Sequence, residues 1–239
     1  MALEQFGLVK TTLLDYPGEV GAALFTPGCN FRCPYCHNPH LVAPPFPTDL
    51  ATRKEVLAHL QKRAGVLRAV CITGGEPLLH RDIGELITIC KNFGYKVKID
   101  TNGSFPKQLK TLIDSPDTRP DYIALDIKTT PSKYYLVEHD GRADEEQTAA
   151  FVAETAEIIK KSGIIHEFRT TVVPGIVERD DISEMVPLLK GARLHYLVPF
   201  RPGKTLEPSY SEREPYPDSL LESMQAEIKS HGIDCRIRK

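Results

Sequence analysis

Short apolar runs rich in β-branched residues alternate with longer, helix-patterned segments along this chain, and that alternation narrows its possible folds most. The strand-like runs are residues 20–26, 68–73, 95–100, 122–128, 166–173 and 193–200. In residues 52–63, Val56, Leu57 and Leu60 share a helix face. In 82–93, Asp82 and Glu85 have the spacing of a capping box and Gly94 supplies a stop. Ala149, Val152, Ala153, Ala156 and Ile159 form a stripe across 145–162, ended by Gly163. Leu220, Leu221, Met224 and Ile228 mark a last helix over 218–230. Strands that alternate with helices build parallel units with right-handed crossovers. The runs are continuously apolar more than alternating, as expected when helices cover the outer face of a sheet. Six units fall short of the eight of a closed barrel. The expectation is therefore an α/β fold, an incomplete (β/α)6 parallel barrel open on one side. In this reading 1–239 is a single domain with a core over about 18–205, a strand segment before it and a helix and strand after it.

Each run ends, on its C-terminal side, in a polar segment bearing Gly or Pro: 27–36, 73–77, 100–103, 126–129, 169–174 and 199–204. Parallel α/β folds carry their functional loops on that face. These six segments are the candidate site.

Lys plus Arg number 30 and Asp plus Glu 32, a net charge of −2. A chain so balanced has no basic surplus or block for nucleic acid or an anionic membrane surface. Hydrophobic residues are 41% and charged residues 26%, which excludes a disordered chain. No apolar run reaches the roughly 20 residues of a membrane span. The opening MALEQFGLVK has no basic region followed by an apolar stretch, so the expected location is the cytosol.

In that reducing setting a disulfide framework is not expected. Of the six cysteines, Cys29, Cys33 and Cys36 are grouped, while Cys71, Cys90 and Cys235 stand alone. Cys71 and Cys90 lie in apolar contexts and read as buried structural thiols; Cys235 reads as incidental. Cys33-Pro-Tyr-Cys36 has the form of a glutaredoxin dithiol, but Pro39, Pro44, Pro45 and Pro47 forbid the long helix that such a dithiol opens. Cys-x2-Cys-His also fits c-type haem attachment, which would require export. A structural zinc ion could use His37 or His40 as fourth ligand, but adjacent Cys36 and His37 would strain a tetrahedral chelate. What remains is an iron–sulfur cluster on three thiolates, with one iron open as in a catalytic metal site.

Cys29-x3-Cys33-x2-Cys36, followed after the next strand by Gly74-Gly75-Glu76-Pro77, resembles the radical S-adenosylmethionine (SAM) enzymes. The resemblance implies one [4Fe–4S] cluster with three Cys ligands and SAM chelated on the open iron. It implies reductive cleavage of SAM to methionine and a 5′-deoxyadenosyl radical that abstracts hydrogen. It gives the Gly74–Pro77 segment to the SAM amino group and Tyr35 to the adenine. Only Cys71 lies in the interval where relatives with accessory clusters carry a cysteine-rich insertion, so a single cluster is expected.

Asp100-Thr101-Asn102-Gly103 and Asp126-Ile127-Lys128 are similar, in order and spacing, to segments of pyruvate formate-lyase activating enzymes. The resemblance implies a monovalent cation held by Asp100, Thr101 and Asp126, with Lys128 facing the SAM carboxylate or cleaved sulfonium. Asn102 and Arg169 join the SAM contacts. Where those activases place a histidine after strand six, this chain has Arg201, so that contact and the partner can differ. The Gly203-Lys204-Thr205 stretch lacks the preceding glycine of a Walker loop, since Val198 stands there. Cys36-His37-Asn38 and the leading stretch 7–18 are similar to the longer type of anaerobic ribonucleoside-triphosphate reductase activating protein. That implies an oxidoreductase that makes a glycyl radical on a partner enzyme and takes its electron from an external donor such as flavodoxin or ferredoxin. Other glycyl radical enzymes, or a small-molecule substrate, stay open as alternatives.

Overall fold

The computed structural model describes residues 3–137 and 145–238. Its contacts divide the chain into two compact units interleaved in sequence. Met1–Cys29, His40–Thr101 and Lys107–Ile123 form the first; Asn30–Pro39, Asn102–Pro106 and Ala124–Lys239 form the second.

The first unit contains β1 (Gln5–Thr12), β2 (Gly21–Thr26), β3 (Ala51–Thr52), α1 (Arg53–Arg63), β4 (Ala69–Gly74), α2 (Ile83–Asn92), β5 (Lys96–Thr101) and nearly all of α3 (Pro106–Asp114). β6 (Tyr122–Asp126) begins there, and its last three residues belong to the second unit. The strand order is β3-β1-β2-β4-β5. β1 is antiparallel to β2 and β3, whereas β2, β4 and β5 are mutually parallel, with Ala23 opposite Cys71 and Cys71 opposite Lys98. Ala22, Ala23 and Leu24 on β2, and Val70, Cys71 and Ile72 on β4, are all buried. Consecutive strand residues point to opposite faces, so unbroken burial means both faces are covered, as the continuous apolar runs required.

The capping box expected at Asp82 and Glu85 is absent, and this corrects the sequence reading. Asp82 precedes α2 but makes no cap; its Oδ2 accepts the Leu3 amide at 2.8 Å and Arg53 at 2.9 Å, while Glu85 pairs with Arg53 at 3.0 Å. Asp82 has φ −91° and ψ 9°, outside the extended backbone that an N-cap requires, and its carboxylate is turned to Arg53 and the Leu3 amide. The box forms instead at Thr52 and Glu55, at the start of α1. Gly94 does end α2, with φ at +86°.

The second unit continues from β6 through α4 (Glu145–Lys161), β7 (Ile165–Val172), α5 (Ile182–Leu189), β8 (His195–Pro199), α6 (Asp218–Ser230) and β9 (Cys235–Ile237). Its strand order is β6-β7-β8-β9, with β7, β8 and β9 parallel. Along α4 the buried stripe is Thr148, Val152, Thr155, Ala156 and Ile159; Ala149 and Ala153, expected in it, are half-buried. All six expected strands are present with ends within two residues. The short helices α3 and α5 have no counterpart in the sequence reading. α3 does carry a stripe, Leu109, Leu112 and Ile113, all buried, with Pro106 at its start; α5 is only eight residues long and contains Pro187. No helix among the described residues is long and apolar enough to cross a membrane.

Candidate active site

The C-terminal ends of the parallel strands carry the expected site residues, and the two units hold different parts of the set. In the first unit, β4 ends at Gly74, with φ at +112°, beside the end of β2. A side chain on Gly74 would come within 2.3 Å of the Thr26 amide, and one on Gly75 within 2.0 Å of the Gly28 carbonyl. The Gly75 amide donates to Thr26 O and the Glu76 amide to Gly28 O, both at 2.8 Å. The glycines are thus required by backbone packed on backbone.

Glu76 is fully buried. Its Oε1 accepts the Leu78 amide at 3.0 Å and the Thr101 hydroxyl at 2.8 Å. Pro77, also buried, opens the 3-10 turn that follows. The expected SAM loop is therefore tied internally, with Glu76 joining the end of β4 to the end of β5. Just before Thr101, Asp100 pairs with Lys98, whose Nζ lies 2.5 Å from Oδ1. Cys29 is half-buried, and its amide donates to Val42 O at 3.0 Å, fixing the backbone there.

In the second unit, the Cys36 amide donates to Cys33 O at 3.0 Å, so one tight turn carries both thiols. His37 Nε2 meets the Arg201 carbonyl at 2.8 Å, and its ring stacks on Phe200 at an interplanar angle of 9°. The Glu207 amide donates to Pro34 O at 2.9 Å. Cys33 is buried, and burial pushes its thiol up to about 11, opposed by the nearby Lys128 ammonium. Cys36 is half-buried.

Lys128 Nζ lies 2.9 Å from Asp126 Oδ2, and Arg169 Nε lies 2.7 Å from Asp126 Oδ1. Burial alone would raise the Asp126 carboxyl, but Arg169 and then Lys128 hold it well below the usual carboxylate range. Burial would likewise lower the Lys128 ammonium, yet Asp126 keeps it above the ordinary lysine value. The result is a thiol, an ammonium, a carboxylate and a guanidinium in one electrostatic group. Tyr35 and Tyr134 interact with the same group, and burial raises both phenols. Neither buried hydroxyl makes a well-formed hydrogen bond, although Tyr35 lies against the Cys33 thiol and Tyr134 against the Lys128 backbone. A buried unsatisfied hydroxyl costs about 1–3 kcal/mol, so this pair suits a site completed by a ligand.

Asn102 is held by neighbouring side chains. Its amide donates to Asn30 Oδ1 at 3.0 Å, and its Oδ1 accepts the Ser104 amide and hydroxyl at 3.0 and 2.6 Å. It shapes the turn at Gly103 (φ +83°) and ties it to the start of the cysteine loop. The Arg201 side chain is exposed. Cys71, Cys90 and Cys235 are all buried, Cys235 with its sulfur 3.7 Å from His195 Nδ1.

The motifs do not point to Lys98, Asn30, Ser104 or Tyr134. Lys98 alone has a legible signal, since it stands two residues before Asp100 on a strand and so shares its face.

The donor set fits an iron–sulfur cluster in its chemistry: none of the three thiols is in a disulfide, and one is buried beside an ammonium that favours its thiolate. Among the described residues no three of His, Cys, Asp and Glu are gathered closely enough to hold one metal ion. A cubane takes each thiolate at a different iron, so its ligands stand further apart than those of a single ion.

The Radical SAM superfamily model matches residues 23–186. A protein of Methanocaldococcus jannaschii provisionally named as a glycyl-radical enzyme activating enzyme is 32% identical over 209 residues, 82% of this chain and 79% of that one. The 7-carboxy-7-deazaguanine synthase of Halobacterium salinarum is 26% identical over 168 residues, 70% of this chain and 61% of that one. Among solved structures, a domain of a pyruvate-formate lyase-activating enzyme from Bacteroides vulgatus superposes with a TM-score of 0.55 at 12% identity, over 72% of this chain and 99% of that one.

Proposed function

This chain belongs to the radical SAM superfamily and has its mostly parallel, open α/β fold, and on that premise we propose that it is an activase for a glycyl radical enzyme. The observation that carries the reading is the 32% identity, across most of both chains, with the M. jannaschii protein of that name. Cys29, Cys33 and Cys36 are the proposed ligands of one [4Fe–4S] cluster, with SAM as cosubstrate. Bound there, the cluster supplies the single electron that cleaves SAM to methionine and a 5′-deoxyadenosyl radical.

The chain's own residues bind, orient and exclude water. Lys128 stays protonated because Asp126 stabilises its charge, and so offers an ammonium to the SAM carboxylate. Arg169, fixed on the other oxygen of Asp126, is a positioning residue for that pair. The buried Tyr35 and Tyr134 hydroxyls, neither in a well-formed hydrogen bond, provide two donors, Tyr35 toward the adenine. Gly74–Pro77 forms the wall for the SAM amino group, with Glu76 holding its shape from within. The partner in this reading is anaerobic ribonucleoside-triphosphate reductase, on the strength of Cys36-His37-Asn38 and the leading stretch 7–18. An external flavodoxin or ferredoxin supplies the electron.

Anaerobically reconstituted protein, reduced in the presence of SAM, should release 5′-deoxyadenosine. Adding the partner should produce the electron paramagnetic resonance doublet of a glycyl radical. A cluster without SAM cleavage would end the enzymatic reading. Cleavage with turnover of a purine precursor, and no doublet on any glycyl radical enzyme, would move the chain to the small-molecule class that the deazaguanine synthase represents.

A further inference from the structure

Lys98 is a lysine in the wrong place for a surface charge. It sits on β5 with its side chain 2% exposed, and its Nζ lies 2.5 Å from Asp100 Oδ1, 3.8 Å from Cys71 Sγ and 5.9 Å from the centre of the Tyr122 ring. The pleat of the strand puts Lys98 and Asp100 on one face. An ammonium so buried keeps its charge only with a partner, and Asp100 is that partner.

A sodium or potassium ion bound through carboxylates must compete with any ammonium or guanidinium already paired with their oxygens. Each residue with the family spacing for such an ion is engaged. Asp100 holds the Lys98 ammonium; Thr101 donates its hydroxyl to Glu76 at 2.8 Å; Asp126 holds Lys128 and Arg169, one on each oxygen. A metal ion at Asp100 would either displace a buried ammonium from its counter-charge or stand close to it in a low-dielectric interior, and both are unfavourable. We propose that Lys98 is the built-in counter-cation of Asp100 and that Asp100, Thr101 and Asp126 take no monovalent metal ion.

The inference concerns the chain's own contacts; only its consequence for SAM affinity rests on the activase reading. Cluster-loaded, unreduced protein is exchanged into tetramethylammonium buffer free of sodium and potassium. Its thermal midpoint and its SAM affinity by calorimetry should be unchanged when potassium or sodium is added. Lys98→Met leaves Asp100 without its ammonium, and potassium should then raise the midpoint and tighten SAM about tenfold, roughly 1.4 kcal/mol. Lys98→Arg, which keeps the charge, should behave as the wild type does. A wild-type midpoint that rises saturably with potassium but not with tetramethylammonium would overturn the proposal, whether or not SAM binds and whether or not Lys98→Met folds. Failure to bind SAM in every buffer would instead overturn the activase reading.

Discussion

Cys33 shows how one residue's surroundings set its chemistry. Buried and beside Lys128, its thiol is protonated at neutral pH, with an ionisation pushed up to about 11, yet it has an ammonium ready to stabilise the thiolate once iron binds. Cys33→Ala should therefore lose the cluster, measured as iron and sulfide bound after anaerobic reconstitution; full retention would remove Cys33 from the ligand set. Cys235→Ala should keep both iron and sulfide. Its buried sulfur packs beside His195, so the loss should appear in stability, about 1 kcal/mol or a few degrees in thermal midpoint. The cysteine trio is legible because its spacing is covalent. Lys98 is legible only through its spacing from Asp100, and Tyr134 not at all, because a tyrosine in a sequence carries no mark of whether its head group ends in water or among buried neighbours.

Elements constrain the site through backbone contact. The ends of β2 and β4 approach so closely that Gly75→Ala would drive a methyl group to 2.0 Å from the Gly28 carbonyl. The strand ends must separate, and the loss expected is about 2–3 kcal/mol, read as a lower midpoint in a thermal scan. On β8, buried His195 meets Thr170 of β7 at 3.1 Å and Cys235 of β9 at 3.7 Å. Burial depresses its ionisation from 6.5 to about 3. The unfolded chain takes up a proton below 6.5 while the folded chain resists until about 3, so stability is intact above that window and falls as pH drops through it. His195→Gln cannot charge and should flatten the acid limb, checked by urea unfolding across that range. The long helices and all six expected strands are legible from apolar periodicity and Gly stops. α3 carries a stripe of Leu109, Leu112 and Ile113 that the sequence reading passes over, and α5 is short and contains Pro187. The cap at Asp82 fails because its backbone is not extended and its carboxylate is turned to Arg53, 29 residues away.

For the whole molecule, the strand–helix alternation and the two spaced motifs lead to the same superfamily that the match over residues 23–186 shows. The last stretch of chain is structural: α6 buries Leu221, Met224 and Ile228, β9 pairs with β8, and Arg238 forks onto Glu167 at 3.0 and 2.8 Å. A chain ending before Asp218 should expose the β8 edge and aggregate, seen as loss of soluble protein and of amide-exchange protection in β8. The sequence by itself determined the order of strands and helices, the thiol spacing and the family, because these are local periodicities and covalent distances. Only the tertiary structure decided which charge answers which: Asp126 with Arg169, 43 residues on, Glu76 with Thr101, and His37 with the Arg201 carbonyl, 164 residues on. Those partners depend on strand register and on exclusion from water, and neither is written in any single stretch of chain.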